Sequence, residues 1–377
     1  MNQEAEPRVL VIAEIGVNHD GSVSKALELV DAAAEAGADV VKTQTFDSTL
    51  VASTAANRAP YQLEGSEPSS QLDMIRALEL SHDEHWMLLE AAQSKGIDFM
   101  STAFDLPSLR FLVDELRIPR VKVPSGEMTN LPLLLACGST NKELIASTGM
   151  CNTEEIRSAL LALAAGRNIR RNMPGTSHWL DAAELAPNFH ELKNDDWEIL
   201  TGNTTILHCT TAYPCPPNEV NLLAMPRIGA EFGLSFGYSD HTVGTSVAPA
   251  AVALGATVIE KHLTLSKESA GPDHSSSLEP KEFAEMVGAV RLVEQAKGEV
   301  TKTATVSELE NMPHARRSIV AARDLQVGQT IGWSDLAFKR PATGVSPMDV
   351  NRIVGMRAPE FLPVESPLPL HWLHDDS

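Results

Sequence analysis

Short runs of apolar, largely β-branched residues recur along this chain. Each is followed by a longer stretch whose apolar positions keep helical spacing. Eight runs stand out: Val9–Glu14, Ala38–Gln44, Ile97–Thr102, Arg120–Ser125, Glu143–Ser147, Thr204–Thr210, Leu234–Ser239 and Thr257–His262. Strands alternating with helices predict an α/β fold with parallel strands and crossover helices. A count of eight, with polar residues at the C-terminal end of every run, predicts a closed (β/α)8 TIM barrel over a doubly wound open sheet. Ser24–Ala36, ending at Gly37, reads as a helix. Thr153 with Glu154 and Glu155 supplies a cap and acidic first turn for another, and Ser246–Leu254 and Pro280–Lys297 give the last two.

Two stretches break this rhythm. Asp47–Ser70 reads as a long polar loop. Arg167–Asn203 is longer, and contains Pro174, Gly175, His178, Trp179, His190 and a helical stretch near Leu180–Leu185. Insertions of this size in a barrel are lids, interface elements or surface decoration. After Lys297 the composition changes. The expected organisation is a barrel over 1–297, a linker over 298–314, and a small, mostly β module over 315–377 whose β-branched residues alternate with glycine turns.

Composition narrows the function classes. The 377-residue chain is 43% apolar and 21% charged, ordinary for a soluble globular protein, with a formal charge of −20. So acidic a chain is a poor partner for nucleic acid or an anionic membrane, and must hold an anionic substrate with a few local cations. Cys137, Cys151, Cys209 and Cys215 form no Cys-x-x-Cys motif or disulfide framework, consistent with reduced thiols in the cytoplasm. The start, Met1 to Pro7, has no signal-peptide pattern, and no run approaches the ~20 apolar residues of a membrane helix.

The chemistry of a barrel lies at its strand ends. Lys42 and Lys122 end two strands, with Ser125, Ser147 and Ser239 nearby in the predicted mouth. Two point charges among hydroxyls suit a phosphate plus a carboxylate; a lone lysine would suit a Schiff base or a salt bridge instead. His241 and His262 end adjacent strands and suit a divalent metal with open positions, although a strand-end histidine is often just a hydrogen-bonding residue. Asp240 is a candidate third ligand or hydrogen-bond partner to one, and His19 and His208 rank lower. Glu14 and Glu127 are expected across the mouth from the histidines, to position water or sugar hydroxyls or to balance the lysines.

Taken in order, these strand ends resemble the sialic acid synthase family of nonulosonic acid synthases. The matching stretches are AEIGVNHDG (13–21), VVKTQTF (40–46), STAF (101–104), KVPSGE (122–127), STGM (147–150), HCTTAYP (208–214), YSDHT (238–242), EKH (260–262) and GPDH (271–274). The tail, ARRSIVAARDL (315–325) and KRPATG (339–344), resembles the antifreeze-like, or SAF, module of that family. The resemblance implies an enzyme that condenses phosphoenolpyruvate with an N-acetylated hexosamine aldehyde and water, releasing phosphate. It implies phosphoenolpyruvate binding by Lys42, Thr102, Lys122, Ser125, Ser147 and Ser239, and Mn2+ or Mg2+ held by His241 and His262. Glu14 would orient the attacking water, and Lys42, Lys122 and Asp273 would join it in catalysis. Gln44, Phe104, Glu127, Tyr213, Asp273 and Arg316 would contact the sugar. Arg316 would arrive from the partner of a homodimer, whose C-terminal module caps the barrel. Thr43, Ala103, Pro124 and Thr211 depart from the family's usual residues and bear on the shape of the sugar pocket.

The acceptor implied first is N-acetylmannosamine. The alternatives are the 6-deoxy diacetamido hexoses of N,N′-diacetyllegionaminate and pseudaminate synthesis. A sugar phosphate would demand more strand-end cations than the sequence offers. An inactive barrel serving as a polysaccharide-associated module would be expected to have lost one of Glu14, Lys42, Lys122, His241 or His262, and all are present.

Overall fold

In the computed structural model, residues 8–56, 70–172 and 196–373 are described. Eight parallel strands close into one barrel: β1 (Leu10–Gly16), β2 (Val40–Thr45), β3 (Asp98–Ala103), β4 (Arg120–Val123), β5 (Glu143–Ser147), β6 (Thr204–Cys209), β7 (Ser235–Asp240) and β8 (Val258–His262). β1 closes the ring against β8 with Ile12 beside Glu260 and Glu14 beside His262. Every predicted run is a strand, displaced by no more than about two residues, the usual uncertainty of an element's end.

Strand alternation sorts each strand's residues between two faces. On the inner face, Ile12, Val40, Met100, Ile145, Leu207 and Val258 pack into an apolar plug, all nearly or fully inaccessible to solvent. The outer face, with Val11, Ala13, Val41, Phe99, Val121, Leu144, Ile206 and Ile259, joins the surrounding helices in the larger core. The barrel is therefore filled below and can open only above, at the C-terminal ends.

The helices obey local rules. Val23–Glu35 starts where the Ser22 hydroxyl accepts from Lys25 N–H, and buries Ala26, Leu29, Val30 and Ala33 on one side. The cap of Thr153–Asn172 is Asn152 and not Thr153: Asn152 Oδ1 accepts from Glu155 N–H at 3.0 Å, and the Glu155 carboxylate accepts from Asn152 N–H at 2.8 Å. This helix runs to Asn172, past Arg167, where the interruption is expected to begin. Its expected helical stretch, Leu180–Leu185, lies outside the described residues, as do Pro174, Gly175, His178, Trp179 and His190. The polar stretch after β2 holds a short helix, Ser48–Val51, begun by the Asp47 carboxylate, and is followed by Gln71–Arg76.

The chain divides into two compact units, Met1–Gly298 and Glu299–Ser377. The stretch read as linker contains a helix, Val306–Ala315, opened by a Thr305–Glu308 capping box. The second unit pairs β9 (Ser318–Ala321) with β10 (Leu336–Lys339) antiparallel. Its own core gathers Ile319, Leu325, Ile331, Val345, Ile353 and Trp372. Among the described residues no helix is long and apolar enough to cross a membrane.

Candidate active site

A cavity of about 440 Å³ opens above the plug and receives at least one side chain from each of the eight strands. Its floor is a layer of charge. Lys42 and Lys122 project inward from β2 and β4, Glu14 and Glu260 from β1 and β8. Lys42 Nζ pairs with Glu14, lies 3.4 Å from Glu260 and donates to Thr102 Oγ1 at 3.0 Å. Lys122 Nζ donates to Glu260 Oε1 at 3.2 Å, and Ser239 Oγ donates to the same oxygen at 2.8 Å. Glu260 thus bridges both lysines and a hydroxyl, three of the groups read from sequence as an anion site.

Burial sets the protonation of this layer. Removal from water raises the Glu14 carboxyl, and Lys42 only partly opposes it. Burial acts on Glu260 in the same direction, but Lys122, Lys42 and the Ser239 hydroxyl overrule it and hold Glu260 well below the carboxylate range. Burial pulls Lys42 down, and Glu14 and Glu260 more than restore it; for Lys122 burial wins and the ammonium is weakened.

One wall is a pocket of hydroxyls. Ser125 Oγ accepts from Gly149 N–H at 3.0 Å and lies 3.1 Å from Cys209 Sγ. Ser147 Oγ is buried without a hydrogen-bond partner in the protein. Gly149 is obligatory for packing: a Cβ there would lie 2.3 Å from Thr211 Oγ1 and 2.8 Å from both Cys209 Sγ and Ser125 Oγ.

The opposite side carries the imidazoles. His241 and His262 stand with ring centroids 5.4 Å apart, and Tyr213 lies over His241 at 4.2 Å. His241 Nδ1–H donates to Thr210 O at 2.7 Å, so Nε2 carries the lone pair. His262 Nδ1 is buried, without a hydrogen-bond partner and 3.8 Å from the Asp273 carboxylate. Burial depresses both histidines, leaving neutral imidazoles. Burial also pushes the Asp273 carboxyl up to about 6. Two neutral imidazoles, one with an orphaned nitrogen, fit a divalent metal with open positions. Among the described residues no cluster of three or more His, Cys, Asp or Glu side chains is arranged as a complete metal cage.

Of the residues singled out from sequence, the cavity gathers Glu14, Lys42, Gln44, Thr102, Phe104, Lys122, Ser125, Ser147, Tyr213, Ser239, His241, His262 and Asp273. Glu127 is half-buried in the turn Ser125–Glu127, accepts from Asn130 Nδ2 at 2.6 Å and does not line it. Arg316 belongs to the second unit, exposed at the end of its helix. Glu14 stands beside His262 and not across from it, because β1 and β8 are neighbours once the barrel closes. Asp240 is no ligand: it faces outward, fully buried, paired with Lys261 at 3.0 Å. His19 and His208 do not line the cavity; His208 Nε2 donates to Val220 O at 2.7 Å. Thr43 and Ala103 also lie off the cavity, while Pro124 and Thr211 line it. Sequence reading missed Glu260 as a site residue. The signal was the two-residue alternation of β8, which turns Glu260 to the same face as His262.

The NeuB family model matches residues 29–302, most of the chain, and the SAF domain model matches 316–370. The chain belongs to the NeuB family. Among curated NeuB relatives, the N,N′-diacetyllegionaminic acid synthase of Campylobacter jejuni is 42% identical over 92% of this chain and 95% of its own. That of Legionella pneumophila is 41% identical over 92% and 89%. In three dimensions the chain is similar to the N-acetylneuraminic acid synthetase of Leptospira borgpetersenii, with TM-score 0.63 and 28% identity over 81% of this chain and 90% of that one. As a NeuB member the chain is a synthase of the nonulosonic acid type, and its C-terminal unit is a SAF domain.

Proposed function

We propose that this NeuB protein condenses phosphoenolpyruvate with a 2,4-diacetamido-2,4,6-trideoxy hexose, giving a legionaminate-type sugar acid and inorganic phosphate. The observation that carries the reading is the distribution of cations. Lys42 and Lys122 are the only lysines or arginines among the described residues lining the cavity, and they stand together on its floor. They match one anionic substrate and leave no second cluster for a sugar phosphate. The outer wall is apolar, with Phe46, Val51, Met74, Ile75, Leu78 and Phe104, which suits the methyl of a deoxy sugar and those of acetamido groups. Two relatives above 40% identity, both named diacetyllegionaminic acid synthases, favour this acceptor over the N-acetylmannosamine implied first.

In this reading Lys42, Lys122, Thr102, Ser125, Ser147 and Ser239 hold the phosphate and carboxylate of phosphoenolpyruvate. The vinyl carbon forms a bond to the acceptor aldehyde carbon, water adds at C2, and the C–O bond to phosphate breaks. Glu14, with its carboxyl raised by burial, takes the proton of that water, and the oxygen of the former aldehyde takes up a proton to become a hydroxyl. Gln44, Phe104, Tyr213 and Asp273 orient the acceptor. His241 and His262 would hold Mn2+ or Mg2+, which supplies polarisation of the aldehyde carbonyl. The active species is a homodimer in which Arg316 of one chain meets an N-acetyl group in the other's barrel.

The test is phosphate release from phosphoenolpyruvate with Mn2+, run in parallel with the diacetamido-trideoxy mannose and with N-acetylmannosamine, with mass spectrometry of the products. Turnover of the first, lost in EDTA and restored by Mn2+, is the expected result. Exclusive turnover of N-acetylmannosamine overturns the acceptor, and full activity in chelator overturns the metal role.

A further inference from the structure

The stretch AEIGVNHDG lends Glu14 and Val17 to the cavity lining and GPDH lends Pro272 and Asp273, while Asn18 and His274 of the same stretches are buried and Asp20 is half-buried. The loop after β1 carries Asn18 and Asp20; the loop after β8 carries Asp273, His274 and Ser277. Asn18 Nδ2 donates to Leu263 O at 2.9 Å and to Ser277 Oγ at 2.8 Å. Ser277 Oγ in turn donates to the Asp273 carbonyl at 2.6 Å, and Ser276 Oγ donates to that carbonyl at 3.0 Å. On the other side of Asp273, His274 Nε2 lies 3.0 Å from Asp20 Oδ1, and His274 Nδ1 lies 2.7 Å from Thr264 Oγ1. A carboxylate only accepts, so Nε2 carries the hydrogen shared with Asp20. Gly271 completes the fit: a Cβ there would lie 2.7 Å from His274 Cδ2.

We infer that Asn18, Asp20, His274 and Ser277 form a clasp that positions Asp273 for the acceptor sugar. The inference rests on the proposed reading, in which Asp273 touches that sugar. Asp273 sits in a loop segment, Gly271 to Ser277, whose one regular piece is the single 3-10 turn His274–Ser276 that it precedes. Hydroxyl bonds grip its carbonyl, and the next residue is pinned to the opposite loop. The backbone that carries its side chain is therefore fixed, and its carboxylate lies 3.8 Å from His262 Nδ1. Asp20 adopts φ +54°, a left-handed conformation that Asp and Asn tolerate better than most residues, so the anchor itself is held by an unusual turn. Nothing in the clasp touches Lys42 or Lys122, so its effect is confined to the acceptor side.

The experiment measures KM and kcat for each substrate, with thermal melting, on full-length Asp20→Ala, Asp20→Asn, Ser277→Ala, Asp273→Asn and Lys25→Ala. Asn at 20 keeps the acceptor oxygen and the left-handed turn; Lys25→Ala removes only the exposed partner of Asp20. Asp20→Ala and Ser277→Ala are expected to raise the acceptor KM about tenfold or more, the cost of small misplacements near the chemistry. The phosphoenolpyruvate KM stays within about twofold, and Asp20→Asn and Lys25→Ala behave as wild type. If Asp273→Asn is impaired while Asp20→Ala and Ser277→Ala, still folded, show wild-type acceptor kinetics, the clasp is overturned and the reading of Asp273 stands. Wild-type acceptor kinetics in Asp273→Asn overturn both. Equal loss for both substrates, not rescued by Asn at 20, also overturns the clasp, because it marks a merely structural role.

Discussion

Asp273 carries a cost in stability that comes with its place in the cavity. Its carboxyl ordinarily titrates at 3.8, and burial raises it to about 6 in the fold. The native chain therefore binds this proton more tightly than the unfolded chain does. Stability falls as pH rises from about 4 to about 6, and the full penalty, about 3 kcal/mol, applies above that window. Asp273→Asn is expected to be more stable than wild type at pH 7 to 8, with the gain vanishing below about pH 4 in denaturant titrations, while turnover drops. Gly149 gives a second residue-scale prediction. Gly149→Ala must displace Thr211, Cys209 and Ser125, and should raise the phosphoenolpyruvate KM about tenfold. Most of the cavity was legible in the sequence because inward residues at strand ends sit in short, distinctive motifs. Glu260 was not, since a glutamate inside an apolar strand looks like charge balance until the barrel closes and sets it between Lys42 and Lys122. Asp240 misled for the complementary reason: it neighbours His241 in sequence but faces the other side of the sheet.

The strands were readable because a parallel sheet covered on both faces needs continuous apolar runs. Helix Val306–Ala315 was not, because it buries no residue and carries Pro313, so it lacks the stripe by which helices are recognised; only its Thr305–Glu308 box announced it. Between β7 and β8, the Asp240–Lys261 pair acts as a rivet. Both side chains are fully buried, Lys261 Nζ also donates to Thr242 O, and Asp240 accepts from Thr242 N–H at 2.9 Å. Lys261→Met strands a buried carboxylate and should cost about 3–5 kcal/mol in chemical denaturation. Asp240→Asn combined with Lys261→Met removes both charges, keeps the bond to Thr242 and should recover most of that loss. His241 follows directly on the first of these strands and His262 ends the second, so the single variant should also weaken Mn2+ binding measured by calorimetry.

At the scale of the molecule, the two units have separate cores, and Arg316 lies in the unit that does not hold the cavity. In the proposed homodimer Arg316→Ala and Lys122→Ala each inactivate a different half of one composite site. Mixing the two inactive proteins under conditions of subunit exchange should restore up to about a quarter of wild-type activity, the statistical yield of one intact site per mixed dimer. No recovery would place both residues in the same chain's site. The apolar plug of Ile12, Val40, Met100, Ile145, Leu207 and Val258 has a kinetic consequence. It makes the cavity a cul-de-sac, with one doorway for everything that comes and goes. In the proposed reading, a molecule seated on the lysines enters before a sugar that lies above it, and what forms at the bottom waits for the traffic above it to clear.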